Sequence, residues 1–370
     1  MTLNLISLKS VKRTLNEALF RLYSEIVYRF FPVNDVPLPP LVVWEITGKC
    51  NLRCRMCPWY GESGVPFNTT NELTLKQIED AIKNIRMAYG FRLPFIGLIG
   101  GEPTLRKDFV DIIKLLKSNG FRYALTTNFS FYNKKLIEGI LRYPPSDLRI
   151  SLDGPREMHD KIRGVKGTFD RVERMINELR ASPNGNKMPI RINCTVSPAN
   201  IDYISNLADF VKSINAHFNI QHLIFLDEKH IRAHDAFFKN VFGIKVPSGA
   251  SELRLSEKDV SNLISQINLV KKKFADRKEM LSFTPNLKIK EIMPYYLDLD
   301  NYVHSERCIY VWAAVRIDSR GYVRPCFEYI FGNIKDEKFS EVWNGKRAAF
   351  FRKELKKRKL FPGCARCCKI

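Results

Sequence analysis

Three cysteines stand close together in the string Cys50-Asn-Leu-Arg-Cys54-Arg-Met-Cys57. Three thiolates on one short loop can bind three irons of a cubane cluster and leave the fourth iron open. A catalytic cluster needs such an open iron, because a substrate must ligate there, whereas a structural site uses four protein ligands. The competing reading is a zinc knuckle completed by a distant fourth ligand. Zinc sites usually match one close cysteine pair with a second, and no His or Cys lies near enough in sequence to be an obvious fourth. Five more cysteines fall late in the chain. Cys308 and Cys326 flank Ile317-Asp318-Ser319-Arg320-Gly321, which reads as strand–turn–strand, and Cys364, Cys367 and Cys368 follow. Clustering at short spacing points to metal binding rather than to disulfides. The ninth, Cys194, is isolated and reads as a small core residue.

The elements that must position these groups alternate. Candidate strands are Leu41–Ile46, Phe95–Ile99, Tyr123–Thr127, Leu148–Leu152, Ile190–Val196 and His222–Leu226, with helical patterns near 74–88, 107–119, 133–142, 168–181 and 200–214. Alternating β and α segments imply a parallel sheet with helical crossovers. The cysteine triad follows the first strand, and the carboxyl ends of parallel strands are where such folds bind ligands. Spacing alone leaves an open doubly wound sheet and a partial barrel both standing.

Four parts are expected: 1–38 as an amphipathic helix and linker, 39–230 as the α/β domain, 231–300 as a mainly helical connection, and 301–370 as a small cysteine-rich domain. In the first part Leu8, Val11, Leu15, Leu19, Leu22 and Ile26 recur at three- and four-residue steps among Lys9, Lys12, Arg13 and Arg21, and Pro32, Pro37, Pro39 and Pro40 then stop the helix. Such a stripe suits capping the open edge of a barrel, or lying in a membrane interface.

The totals are those of a globular protein: 370 residues, 45% hydrophobic and 27% charged. No apolar run approaches the roughly 18 residues that a spanning helix needs, and no signal-peptide pattern opens the chain. A cytoplasmic protein is expected, with peripheral attachment at the inner membrane face as the variant. A net charge of +21 suits acidic partners such as phosphorylated substrates, anionic lipid or nucleic acid. A non-catalytic metal protein that binds nucleic acid is the reading from another class, and the strings described next argue against it.

The Cx3Cx2C string after a first strand resembles the radical S-adenosylmethionine (SAM) superfamily, and the likeness continues. Gly100-Gly101-Glu102-Pro103 after the second strand matches that family's GGE motif, which contacts the SAM amino group. Ser151-Leu152-Asp153-Gly154-Pro155, with His159-Asp160 and Arg163-Gly164, is similar to the SLDGP…HD…RG stretch of its peptide-modifying and dehydrogenase branches. The resemblance implies a partial (β/α)6 TIM-like barrel, a 4Fe-4S cluster on Cys50, Cys54 and Cys57, and SAM held by Gly100, Gly101, Glu102, Ser151, Asp153 and Arg163. Met56 stands where an aromatic residue often packs on the adenine, and a thioether can do the same. Reductive cleavage of SAM would then give a 5′-deoxyadenosyl radical that abstracts hydrogen.

Gly332-Asn333-Ile334 and Glu341-Val342-Trp343-Asn344, between the late cysteines, resemble the SPASM/Twitch extensions of the same family. This implies one auxiliary 4Fe-4S cluster on Cys308, Cys326, Cys364 and Cys367, with Cys368 as an alternative to Cys367. A structural zinc site on the same thiolates is the other reading. An electron donor such as flavodoxin or ferredoxin is the implied partner. The expected substrate is a small anionic molecule (a sugar, nucleotide or lipid headgroup) in a biosynthetic pathway, with a peptide or protein as the alternative. Glu328, Tyr329 and Tyr310 adjoin the auxiliary ligands and are candidates for facing the cavity.

Overall fold

Short runs of alternating burial build the sheet, and amphipathic helices cover one side of it. The computed structural model describes residues 18–57, 69–245, 253–303, 306–326 and 329–367. Its strands are β1 (Leu41–Glu45), β2 (Phe95–Ile99), β3 (Arg122–Thr127), β4 (Asp147–Ser151), β5 (Ile190–Thr195), β6 (His217–Gln221), β7 (Leu281–Thr284), β8 (Ala314–Ile317), β9 (Tyr322–Arg324) and β10 (Gly332–Asn333). They form one sheet in the order β10-β9-β8-β1-β2-β3-β4-β5-β6-β7. Every pairing from β8 through β1 to β7 is parallel, and only β9 and β10 run antiparallel.

The helices are α1 (18–30 within the described residues), α2 (Leu75–Tyr89), α3 (Phe109–Ser118), α4 (Lys134–Arg142), α5 (Arg156–Arg163), α6 (Thr168–Ala181), α7 (Pro183–Asn186), α8 (Ile204–Ser213), α9 (Glu228–Phe242), α10 (Glu257–Lys273), α11 (Ile289–Leu297), α12 (Phe339–Asn344) and α13 (Lys346–Arg358). Neighbours touch in series, α12 with α2, α2 with α3, α3 with α4, α4 with α6, and α8 with α10. Helices that touch in succession share one face of the sheet, so the chain is wound singly, as in a barrel, and not on both faces. Sequence spacing left that choice open, and these contacts decide it for the partial barrel.

The sheet is wider than six strands. The segment expected to be helical, 231–300, contributes β7 beside β6. The cysteine-rich segment contributes β8, which lies parallel to β1 with Leu41 opposite Ala314, so the last part of the chain continues the barrel sheet. The sixth strand is His217–Gln221 and not His222–Leu226. Leu223 and Phe225 are buried instead below α11, where Phe225 stacks on Tyr296 at 5.8 Å.

From β4 to β7 the two faces of the sheet differ sharply. Leu148, Ile150, Ile192, Cys194, Phe218 and Ile220 are enclosed on the helix side, where Phe218 meets Phe274 at the end of α10. The alternate positions, on the inner face, are Arg149, Ser151, Arg191, Asn193, Thr195, His217, Asn219, Gln221, Ser282 and Thr284. They bond to one another across the strands. Asn219 donates to Asn193 Oδ1 at 3.1 Å and accepts from Ser282 Oγ at 2.8 Å and Thr284 Oγ1 at 3.1 Å. The interior of this half of the barrel is therefore a polar wall.

The GNI…EVWN region has a plain structural role. Trp343 Nε1 donates to the carbonyls of Val36 and Pro37, and Asn344 exchanges two 3.0 Å bonds with Val36. Together they latch the proline-rich linker to the end of the sheet. Between β8 and β9, Asp318 accepts from the N–H groups of Arg320 and Tyr322 and pairs with Arg324 at 2.6 Å. Gly321, at φ +90°, makes the turn.

Candidate active site at the carboxyl ends of the strands

The loop after β1 carries the triad. Cys54 is buried, and Cys50 and Cys57 are half-buried. The N–H of Cys57 donates to the Cys54 carbonyl at 2.9 Å, closing a tight turn. Burial pushes the Cys50 thiol up to about 11, the Leu52 N–H lowers it, and charge on Glu102, Cys54 and Cys57 raises it further. Burial likewise pushes the Cys54 thiol up, and a cationic cluster would relieve both shifts. None of the described cysteines is in a disulfide. Among the described residues, no three His, Cys, Asp or Glu side chains stand at the spacing of a single bound ion.

The turn after β2 packs directly on this loop. Gly101 and Glu102 donate their N–H groups to the carbonyls of Thr47 and Lys49 at 2.8 and 2.7 Å. A Cβ on Gly100 would fall 2.4 Å from the Thr47 oxygen, and one on Gly101 would fall 2.3 Å from the Lys49 oxygen. Both positions therefore require glycine. Glu102 is fully buried and ties the ends of β2 and β3 together. It accepts from Thr104 N and Oγ1, Thr127 Oγ1 and Asn128 N at 2.6 to 3.1 Å. Burial pushes its pKa up, and those hydrogen bonds oppose the shift.

Beyond β4, at the edge of the inner wall, Ser151 lies opposite Asn193. Asp153 is buried, accepts from Thr195 N at 3.0 Å, and pairs with Arg163 Nη2 at 2.5 Å. Arg163 Nη1 lies 3.4 Å from the Cys54 sulfur. Arg163 Nε is buried and has no hydrogen-bond partner among the described residues. A buried guanidinium that touches the triad with a donor to spare suits a carboxylate beside a cluster. By this measure the residues present fit a cubane and an amino-acid ligand on its open iron. Met56, in the same loop as the triad, is also buried.

The remaining motif residues explain themselves locally. His159 Nδ1 accepts from Asp153 N at 3.2 Å, and burial lowers its pKa to about 3. Asp160 accepts from Gly167 N, Thr168 Oγ1 and Phe169 N and so starts α6. Gly164, at φ +73°, ends α5.

Sequence reading missed two asparagines. Asn128 donates to Asn51 Oδ1 at 3.0 Å, lies 4.0 Å from the Cys50 sulfur and accepts from Ser130, which braces the cysteine loop against β3. Asn200 donates to the carbonyls of Asp153 and Thr195. Polar residues just past an apolar strand were the available signal.

The late cysteines gather around two anchor points. The N–H of Cys308 donates to the Lys359 carbonyl at 3.0 Å, and burial pushes its thiol up to about 11. Cys364 and Cys367 share a turn, Cys367 N donating to Cys364 O at 3.2 Å. Between these two cysteines, Arg366 is fully buried and donates to the carbonyls of Pro294, Tyr295, Asp298, Asn301 and Ala365. It pins the cysteine turn to the carboxyl end of α11. Cys326 follows β9 and is half-buried. Tyr310 and Tyr329 are both buried, and Tyr329 packs against Phe242 and Phe351. Cys368 and Glu328 lie outside the described residues.

Residues 44–211 match the family described as the radical SAM superfamily, and residues 308–368 match an iron–sulfur cluster-binding domain, SPASM. The AdoMet-dependent heme synthase of Methanosarcina barkeri is 26% identical over 341 residues, covering 89% of this chain and 88% of that protein. Mycofactocin maturase MftC of Mycolicibacterium smegmatis is 28% identical over 50% of this chain, which spans 45% of the maturase. In fold, the chain is similar to Streptococcus suis SuiB bound to its precursor peptide SuiA, with a TM-score of 0.61 at 15% identity over 85% of this chain and 66% of SuiB.

Proposed function

We propose that in this chain, which belongs to the radical SAM superfamily and carries a SPASM domain beside its barrel, Cys50, Cys54 and Cys57 hold the SAM-cleaving 4Fe-4S cluster and Arg163 holds the SAM carboxylate. Bound there, the cluster and SAM would supply radical chemistry able to take hydrogen from an unactivated C–H bond. The protein's part is to orient and to exclude water. Asp153 fixes the guanidinium, and the Gly100–Gly101 turn lies beside the triad. Glu102 acts at one remove, through the turn that it fastens. Ser151, at the end of β4, and the buried Met56 would contact SAM in the same reading. The observation that carries this reading is one guanidinium, that of Arg163, whose Nη1 lies 3.4 Å from the Cys54 sulfur while its buried Nε has no partner among the described residues.

Cys308, Cys326, Cys364 and Cys367 would hold the auxiliary 4Fe-4S cluster. Four protein ligands would close it to substrate and suit it to electron transfer, with flavodoxin or ferredoxin as the class of external donor.

The substrate we propose is small and anionic. Supporting it are the polar wall from β4 to β7 and the arginines that adjoin it, Arg149 and Arg191 paired with Asp147 and Arg316 paired with Glu45. The net charge of +21 agrees. The relative matched over most of its length is named for making heme, a small molecule. A peptide substrate is the second reading, supported by the maturase and by the fold likeness to a peptide-bound protein. The test is anaerobic: reconstituted protein with SAM and dithionite should release 5′-deoxyadenosine, and the triad replaced by alanines should release none. Iron-loaded protein that makes no 5′-deoxyadenosine would overturn the proposal.

A further inference from the structure

Among the described residues, no helix is long and apolar enough to cross a membrane. The first helix nevertheless presents an apolar face outward. In α1, Leu19, Leu22, Ile26 and Phe30 are 51%, 56%, 43% and 76% exposed. At 100° per residue these four side chains fall within one arc of about 80°. That arc is the stripe which sequence periodicity suggested as a cap for the barrel edge. The helix is instead held by its other sides. Ser24 and Val27 are buried, Tyr23 Oη donates to the Leu38 carbonyl, Tyr28 packs edge-on to Trp312 at 4.8 Å, and Glu25 pairs with Arg307 at 2.9 Å. With those anchors in place, α1 cannot turn its stripe inward.

We propose that this face of α1 seats the enzyme on an anionic lipid surface. Three observations favour lipid over a folded partner. The stripe is a convex ridge on a single helix and not a groove, and a ridge of this kind inserts between headgroups. Its spacing continues upstream in the sequence through Leu15, Val11 and Leu8, although those residues lie outside the described structure. Its carboxyl end meets a run of cations: Lys356 Nζ donates to the Tyr28 carbonyl at 2.8 Å, and Lys353, Lys357, Arg358 and Lys359 around it are exposed. The one acid in that stretch, Glu354, is already paired with Arg358. Cations beside an exposed aliphatic ridge attract anionic headgroups by about 1 kcal/mol each near the surface.

This does not depend on the proposed chemistry, and its test is separate. The iron-loaded, full-length protein is sedimented with vesicles of phosphatidylcholine alone and of phosphatidylcholine with phosphatidylglycerol. Binding is expected only to the second, weakening with salt. Leu22→Glu with Ile26→Glu should lower the partition coefficient at least roughly tenfold, and Lys353→Glu with Lys357→Glu should lower it too. Both pairs are exposed, so iron content and SAM-dependent 5′-deoxyadenosine formation in the absence of vesicles should stay as in the parent. Equal sedimentation with and without anionic lipid would overturn the proposal. So would a dimer, seen by light scattering, that the α1 substitutions dissociate, because the face would then belong to a second copy.

Discussion

Arg163 Nη2 lies 2.5 Å from Asp153 Oδ2, with both side chains inside the protein. The pair joins the end of β4 to the cysteine loop. Asp153 is fixed by the Thr195 N–H, and the guanidinium it holds touches the Cys54 sulfur. The triad's environment is therefore set by a residue more than a hundred positions away, through one buried ion pair.

Removing the carboxylate alone should be costly. Asp153→Asn leaves a buried guanidinium without its counter-ion, and a loss of about 3 to 5 kcal/mol is expected from chemical denaturation. Asp153→Asn combined with Arg163→Met should recover part of that loss, because the stranded charge goes too. Strict additivity of the two single changes would show that the pair is not coupled.

His159 makes stability depend on pH. Its folded pKa is about 3 and its unfolded one about 6.5. Between these values the unfolded chain binds the proton and the folded chain does not, so stability is complete above about 6.5 and falls as the pH drops toward 3. Going from pH 7 to pH 5 should cost the parent about 2 kcal/mol more than His159→Gln, measured as the difference in their denaturation midpoints. Equal losses in the two proteins would count against a neutral buried imidazole.

Arg366→Met should loosen the Cys364–Cys367 turn from α11, because five carbonyl contacts leave with the guanidinium. Iron per chain after reconstitution should fall by about four, one cubane's worth, while SAM cleavage without substrate continues. Unchanged iron content would mean that the turn holds its shape without Arg366.

The linker latch is a third stability test. Asn344→Ala removes both bonds to Val36; the Val36 carbonyl keeps the Trp343 indole, but its buried N–H is stranded, at about 1 to 3 kcal/mol. Limited proteolysis should then cut near residues 32–40 faster than in the parent.

The strings with fixed spacing were legible before the fold was known. Cys50–Cys57 and Gly100–Glu102 each occupy one loop and Ser151–Arg163 runs from the end of β4 through α5, so chain order alone groups each string, and β1 to β5 lie where apolar runs suggested. What escaped had physical reasons. His217–Gln221 did not look like a strand because its inner positions, His217, Asn219 and Gln221, are polar. The apolar run just after it looked more like one, and that run is buried by Tyr295 and Tyr296 instead. β7 is four residues, too short for periodicity to register, and the strand–turn–strand of β8 and β9 gave no sign that β8 pairs with β1. Asn128 and Asn200 carry only the weak mark of a polar residue past an apolar strand, and Arg366 acts through carbonyls of α11 and the loop after it that no local pattern links to it.

The central claim is that the triad leaves one iron open to SAM beside Arg163. Mössbauer spectra of ⁵⁷Fe-reconstituted protein, with and without SAM, examine this directly. SAM should alter the signal of a single iron, in a cluster that is absent from Cys54→Ala and unresponsive in Arg163→Met. Spectra identical with and without SAM, in protein carrying its full iron, would contradict it.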